Sequence, residues 1–495
     1  MAKDLATLTR GGMPRDEHAV VVVGAGLAGL ACAAGLVEAG ADPEGIVVLE
    51  ALGRPGGRTL TASLDGESVD VGACWVCPRQ KRVHRLLDLH GLDVIEQQTA
   101  GMRVGVRNAG GLLGWLRRAL GLEWVPRATF TTISGLPLWD RIQYVLLIRR
   151  VNRLAAAIPA GRPWDAKGAQ HLDSKSVSSW LEEDGAPNNS TARGLMASVV
   201  QTVFCADANV VSMLLFLAAV KEEGGVEVLL EEAQSQRVVQ GNGTLSARMA
   251  ASLQERGVKI RLGVHVVGCV HSAQGGAVLQ TREGAKVSAR RVVLALPPPA
   301  IARLSLDPPL SGPLGSELAA QRMGKVIKVV VEFTKCWWRG AHCAVADPEL
   351  LEATFAHDVS PPRGVASSSS PRHILAVFFF GPKAEKWSAV AGKSEAERRE
   401  EAVRCARLLF GGAAAEECEV LGSVEGDWPN VPGIEGGYQS FPQLGSIVES
   451  RSYSCSTPTS CLHFASTENA TNWRGYMDGA IQSGERAAAE VLQAL

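Results

Sequence analysis

Three glycines and one acid set the first chemical expectation. Gly24-Ala25-Gly26-Leu27-Ala28-Gly29 follows directly on the β-branched run Ala19–Val23, and Glu50 closes a second apolar run, Ile46–Leu49. Gly24 permits a tight turn, Gly26 lets backbone approach a pyrophosphate, and Gly29 lets a helix pack closely on a strand. A helix opening here, read as Leu30–Ala39 with Gly40 as its stop, aims free N–H groups at phosphate oxygens. Glu50 can accept both hydroxyls of a ribose. A strand, glycine turn, helix, second strand and acid in this order bind a dinucleotide. A continuous apolar run without alternation is the mark of a strand buried on both faces of a parallel sheet, so the expected class is α/β.

The elements that must hold this motif are spread along the chain. Candidate strands Val258–Leu262, Val264–Val270, Ala277–Gln280 and Arg291–Leu296 suit the rest of the same sheet, with Pro297-Pro298-Pro299 as the exit. Residues 86–234 read as mostly helical, with 3.6-residue apolar spacing in Ser176–Glu183 and Val210–Glu223 and prolines at 137 and 163 as punctuation. Glu395–Leu409 reads as a charged surface helix.

Composition excludes several classes. Fifty Lys+Arg against 51 Asp+Glu leave no basic excess for nucleic-acid phosphates. Met1–His18 is polar, without the apolar core of a secretory signal, and no apolar run reaches the roughly 18–20 residues that span a bilayer. The 11 cysteines are scattered, so a reducing, cytoplasmic compartment is expected. Cys74 and Cys77 have CxxC spacing, but no second pair follows, so no metal is expected and both read as reduced thiols. Between Gly101 and Arg153, Arg117, Arg118, Arg127, Arg141, Arg149, Arg150 and Arg153 stand among leucines and tryptophans. A solvated helix face is the favoured reading there, over a membrane-surface patch.

Glu50 is followed by Ala51, Arg54, Gly56, Gly57 and Arg58, and later by Asp70-Val71-Gly72-Ala73-Cys74-Trp75. G-x-G-x-x-G followed by E-A-x-x-R-x-G-G-R resembles the flavin-containing amine oxidases, which bind FAD. The likeness returns in Thr471-Asn472-Trp473-Arg474-Gly475-Tyr476-Met477-Asp478-Gly479-Ala480, similar to the closing motif of the monoamine oxidases. Glu468 stands at the family's acidic position before it, and Ser466 replaces a usual glycine. The resemblance implies an α/β fold. A Rossmann-like FAD-binding domain (1–84, 236–310 and 427–495) interleaves with an α+β substrate domain (85–235 and 311–426).

It also implies a chemistry. Amine oxidation moves a hydride from the carbon bearing nitrogen to flavin N5, oxygen takes up the electrons as hydrogen peroxide, and water hydrolyses the imine. By resemblance Gly24, Gly26, Leu27, Ala28, Gly29, Glu50, Ala51, Arg54, Gly57, Arg58, Val264, Trp428, Glu468 and Met477 hold FAD. Tyr438 and Tyr476 match the tyrosine pair that cages the amine, so half of the chain's four tyrosines fall at cage positions. Lys328, with Lys325 as a rival alignment, matches the flavin-side lysine that favours reaction with oxygen. Leu230 and Gln234 are the candidate substrate contacts. Where monoamine oxidases carry the cysteine that bonds FAD, this chain has Gly437, so FAD is expected to be non-covalent. The sequence closes on Val491-Leu492-Gln493-Ala494-Leu495 where those enzymes continue into a membrane anchor, so no anchor is expected. The partners implied are a small amine and oxygen, with a homodimer left open. A primary monoamine is the favoured substrate. A polyamine, an amino acid whose carboxylate would need Arg79 or Arg474, and a catalytically silent flavin-binding module are the alternatives.

Overall fold

The computed structural model describes residues 17–97, 102–106, 127–130, 137–185, 190–230, 232–272, 275–338, 340–346, 351–362, 371–411, 413–451, 458–459 and 461–495. β1 (Glu17–Val23), α1 (Leu27–Glu38) and β2 (Ile46–Glu50) form the first unit. β1 and β2 pair in parallel, from Val20 against Ile46 to Val23 against Leu49. Val20, Val21, Val22, Val47 and Val48 are fully buried, because both faces are covered: Val20, Val22 and Val48 pack with Leu30 and Leu36 of α1, and Val21 and Val47 with Cys269, Leu279 and Ile301. The helix begins at Leu27, three residues before the expected Leu30, so the glycine turn is its first turn.

Around this unit the sheet runs Lys259–Leu262, β2, β1, Lys286–Leu294, Gly276–Thr281, Val266–Ser272, Ser305–Asp307, and Leu462–Phe464 adds to Lys286–Leu294. The strand expected from Arg291 starts at Lys286. Its polar first half pairs antiparallel with Gly276–Thr281, and its apolar second half runs parallel to β1. The C-terminal helix, Met477–Ala494, lies along α1. A Cβ at Gly484 would stand 2.2 Å from the Ala28 carbonyl oxygen, so a bare backbone is what lets the two helices approach.

The helical layer holds α2 (Leu138–Ala156) and α3 (Met213–Glu223), joined in one apolar cluster through Tyr144, Leu147, Val151, Leu214 and Phe216. The Ser212 hydroxyl accepts the Leu215 N–H at 3.3 Å and so fixes the start of α3 at Met213, three residues beyond the Val210 at which helical spacing begins. The helix expected over Ser176–Glu183 is shorter, Val177–Trp180, and runs on into a wider π turn, Leu181–Gly185.

A second sheet has the order Val420–Asp427, β3 (Val326–Phe333), Ile374–Phe380, Phe355–Asp358, Ala341–Ala346, Met102–Val106, Arg127–Phe130. Its last two strands fall within the stretch that periodicity reads as helical. At five and four residues they are too short for a helical-spacing window to detect. Residues 107–126 and 131–136 of the basic stretch, including Arg117 and Arg118, lie outside the described residues. Every residue of β3 is buried, Lys328 among them. Glu395–Phe410 is a helix as expected, yet Ala402, Cys405, Ala406 and Leu409 line a buried face, so only its other side is charged surface. No described helix is long and apolar enough to cross a membrane.

Candidate active site

A cavity of about 460 Å³ runs from the first turn of α1 to the second sheet. Gly24 has φ +106°, and a Cβ there would stand 2.5 Å from the Ala295 carbonyl oxygen. At Gly26 a Cβ would meet nothing nearer than the Gly57 Cα at 4.0 Å, so bare backbone faces the cavity. Leu27 and Ala28 line it, and the N-terminus of α1 opens onto it. Glu50 sits beside this turn, 6% exposed. One carboxylate oxygen accepts the Ala25 N–H at 2.7 Å and the other the Leu52 N–H at 2.9 Å, leaving lone pairs for a ligand. Burial raises its pKa, and the backbone N–H groups and Arg54 work against that rise. Ala51 and Val264 line the adjoining wall.

The loop after β2 brings two arginines to different tasks. Arg54 donates to the carbonyls of Pro55, Gly57 and Thr59 at 2.9–3.1 Å, so it shapes the loop. Arg58 lines the cavity and forks onto Glu468 at 2.7 and 3.0 Å while donating to the Tyr438 carbonyl at 2.8 Å. Glu468 is fully buried and also accepts the Ser440 N–H at 2.9 Å. Burial alone would raise its pKa. Arg58, by charge and hydrogen bonds, outweighs that and holds it below the usual carboxylate range.

At the inner end stand one cation and two phenols. Lys328 is 3% exposed, with Nζ 3.3 Å from the Gly72 carbonyl oxygen, 5.4 Å from the Phe378 ring centre and 5.6 Å from that of Trp75. Lys325 points elsewhere, donating to the Glu435 carbonyl at 2.9 Å, so of these two lysines Lys328 lines the cavity. Tyr438 packs edge-on to Phe380 at 6.4 Å and Tyr476 edge-on to Trp473 at 5.1 Å. Burial pushes both phenols well above their ordinary pKa, and they are close enough for the charge of Tyr476 to act on Tyr438. Trp428, Met477 and Gln234 complete the wall, the indole N–H of Trp428 donating to the Val71 carbonyl at 3.0 Å.

A family model for flavin containing amine oxidoreductases matches residues 27–492. The chain belongs to this family. AofH of Mycobacterium tuberculosis, provisionally named a flavin-containing monoamine oxidase, is 31% identical over 96% of this chain and 97% of its own length. Human amine oxidase B is 28% identical over 96% of this chain and 86% of its own. The structure of putrescine oxidase with bound putrescine superposes with a TM-score of 0.82 at 27% identity, covering 96% of this chain and 99% of that one. The enzyme is therefore an FAD-dependent amine oxidoreductase. The residues present fit that cofactor: a bare Gly26 face, a helix N-terminus and a buried carboxylate with free lone pairs meet in one cavity.

Four residues expected at this amine oxidase site do not line the cavity. Gly29 is turned inward, where a Cβ would fall 2.0 Å from the Gly24 carbonyl oxygen, so it serves helix packing. Arg54 braces the loop, and Glu468 acts through Arg58. Leu230 packs into the helical cluster, and Leu229 lines the cavity instead. The short helix Val226–Leu230 rotates successive residues by about 100°, which turns one leucine in and the next away. Trp75, Phe378, Thr202 and Gln439 also line the cavity. Trp75 was visible in the family-like segment after Asp70. Phe378 was hidden in a uniformly apolar strand whose two faces look alike. The Ser466 hydroxyl turns toward Asn469 at 2.9 Å. Cys74 faces the cavity, while Cys77 is packed among Val228, Ala233 and Trp473, where burial raises its thiol to about 11. Arg79 is 52% exposed and paired with Glu232 at 2.7 Å, and Arg474 donates to the Glu468 carbonyl at 2.9 Å.

Proposed function

We propose that this enzyme oxidises a primary monoamine to an imine that water hydrolyses to an aldehyde, with oxygen as electron acceptor and hydrogen peroxide as the second product. The supporting observation is the inner end of the cavity: two tyrosines and a buried lysine stand among apolar walls. The two carboxylates that line the cavity both lie elsewhere, Glu50 at the glycine turn and Glu435 in an ion pair with Arg303 at 3.0 Å. Bound FAD supplies hydride acceptance. The chain's own residues orient and dry the substrate. The rings of Tyr438 and Tyr476 flank the amine and attract it through their faces. Both phenols stay protonated at neutral pH, so neither puts an anion beside the nitrogen that would hold it as ammonium. Leu229, Phe378 and Val203 exclude water from the reacting carbon. Lys328 keeps N–H donors beyond its Gly72 contact and holds a water at the reoxidation face. FAD is non-covalent, since Gly437 offers no thiol. The domain division at 84, 235, 310 and 426 remains our reading, and the described cysteines, all free, suit a cytoplasmic location.

A diamine is the second reading. Glu223 is 4% exposed with one carboxylate oxygen lacking a hydrogen-bond partner. It borders a void of about 10 Å³ shared with Tyr476, Gln439 and Leu229. Anaerobic mixing of the oxidised enzyme with aryl-alkylamines, putrescine, spermine and L-amino acids tests both readings. Bleaching of the flavin by monoamines is expected. Bleaching by putrescine alone, abolished in Glu223→Gln, selects the second reading, and bleaching by no amine rejects both.

A further inference from the structure

The outward face of α2 has no role in the site. Its inner face, Tyr144, Leu147, Ile148, Val151 and Ala155, is buried against α3 and its neighbours. Leu138, Trp139, Ile142 and Leu146 point the other way, 63%, 65%, 41% and 51% exposed. At 100° per residue the four fall within about a quarter-turn of one another, and the stripe runs about 12 Å along the helix. The same side continues into Arg149, Arg150 and Arg153, all exposed. Among the described residues neither Arg149 nor Arg153 has an ion pair. Arg150 rests over the Trp180 ring at 5.5 Å. The helix carries one acid, Asp140, which is turned to the Thr191 hydroxyl at 3.0 Å. One face is thus apolar in its first half and cationic in its second, with no carboxylate on it.

We propose that this face docks the enzyme on an anionic lipid surface. The leucine, isoleucine and tryptophan side chains enter the boundary between headgroups and acyl chains, and the arginines meet lipid phosphates. Charge selects this occupant over a second copy of the chain, which would bring the same three arginines and no acid to answer them. An anionic bilayer supplies the countercharge. Docking is peripheral, since the buried inner face stays packed on the protein.

The test is co-sedimentation of the FAD-loaded full chain with vesicles of phosphatidylcholine alone and of phosphatidylcholine mixed with phosphatidylserine. The wild type is expected to sediment with the anionic vesicles and stay in solution with the neutral ones. Arg149→Gln and Arg153→Gln should each weaken the partition about fivefold, and Ile142→Glu with Leu146→Glu should abolish it. All these side chains are exposed, so flavin content and amine-driven bleaching should match the wild type. Failure to sediment with anionic vesicles overturns the proposal, as does binding to neutral vesicles that the arginine variants leave unchanged. A wild-type dimer that Ile142→Glu splits, without vesicle binding, assigns the face to a second copy and also overturns it.

Discussion

Replacing Arg58 by Met tests how the cavity is held open for its cofactor. The guanidinium forks onto Glu468 at 2.7 and 3.0 Å, and the carboxylate is fully buried, with Ser440 N–H as a further donor at 2.9 Å. Without Arg58 that anion stays out of reach of water with its countercharge gone. Removing one partner of a buried pair costs about 3–5 kcal/mol. Arg58→Met should therefore lower the unfolding free energy by that amount, measured by urea titration of the flavin-free protein followed by tryptophan fluorescence. Arg58→Met with Glu468→Gln should recover at least half, because the amide still accepts from Ser440 and carries no charge. The pH dependence has a definite sign. In the wild type Arg58 holds Glu468 below its ordinary value of 4.5, so the pair stabilises fully above that pH and is lost as pH falls through the depressed pKa. In Arg58→Met burial acts without the guanidinium and raises the same pKa, so the variant loses stability as pH rises. The gap between the two should be widest near neutrality and narrow toward acid. A gap independent of pH, or a double variant no more stable than Arg58→Met, would refute this account.

Acid precipitation of the wild type should leave the yellow cofactor in the supernatant, because Gly437 carries no thiol. Gly437→Cys with Val326→Ala should retain colour in the pellet, the second change making room where a Cβ would stand 3.0 Å from Val326 Cγ1. Lys328→Met should slow reoxidation of the reduced enzyme by oxygen on the order of 10²-fold while anaerobic bleaching changes far less, as expected when one positioned charge serves one step. Stopped-flow measurement of the two half-reactions separates them. Tyr476→Ala should slow bleaching by about tenfold, and Tyr476→Phe should keep most of the rate, since the ring face and not the hydroxyl attracts the amine. Equal loss in both variants would shift the role to the phenol.

The cofactor half of this enzyme was legible because its constraints are local. Gly24 and Glu50 lie within one strand–helix–strand unit, where backbone geometry dictates residue type. A Cβ at Gly24 would collide with Ala295 carbonyl backbone, so only glycine serves, and a spacing written in glycines can be read. Gly29 and Arg54 show the limit of the same reading. Their types are fixed by packing on the Gly24 carbonyl and by bracing three loop carbonyls, and a motif cannot tell a residue that touches the ligand from one that shapes the residue that does. The substrate half is assembled otherwise. Lys328, Phe378, Leu229 and Tyr476 come from four distant segments: strand phase turns the first two to the cavity, helix rotation turns Leu229, and Tyr476 reaches it from the extended residue that opens the C-terminal helix. Phase is erased in strands such as Ile374–Phe380, apolar on both faces because both are buried. Helix rotation depends on where a short helix starts, which is why Leu229 and Leu230 exchange places. The amine is selected by the least legible walls, so substrate identity must come from bleaching experiments, while the flavin chemistry follows from the turn, the acid and the buried Arg58–Glu468 pair.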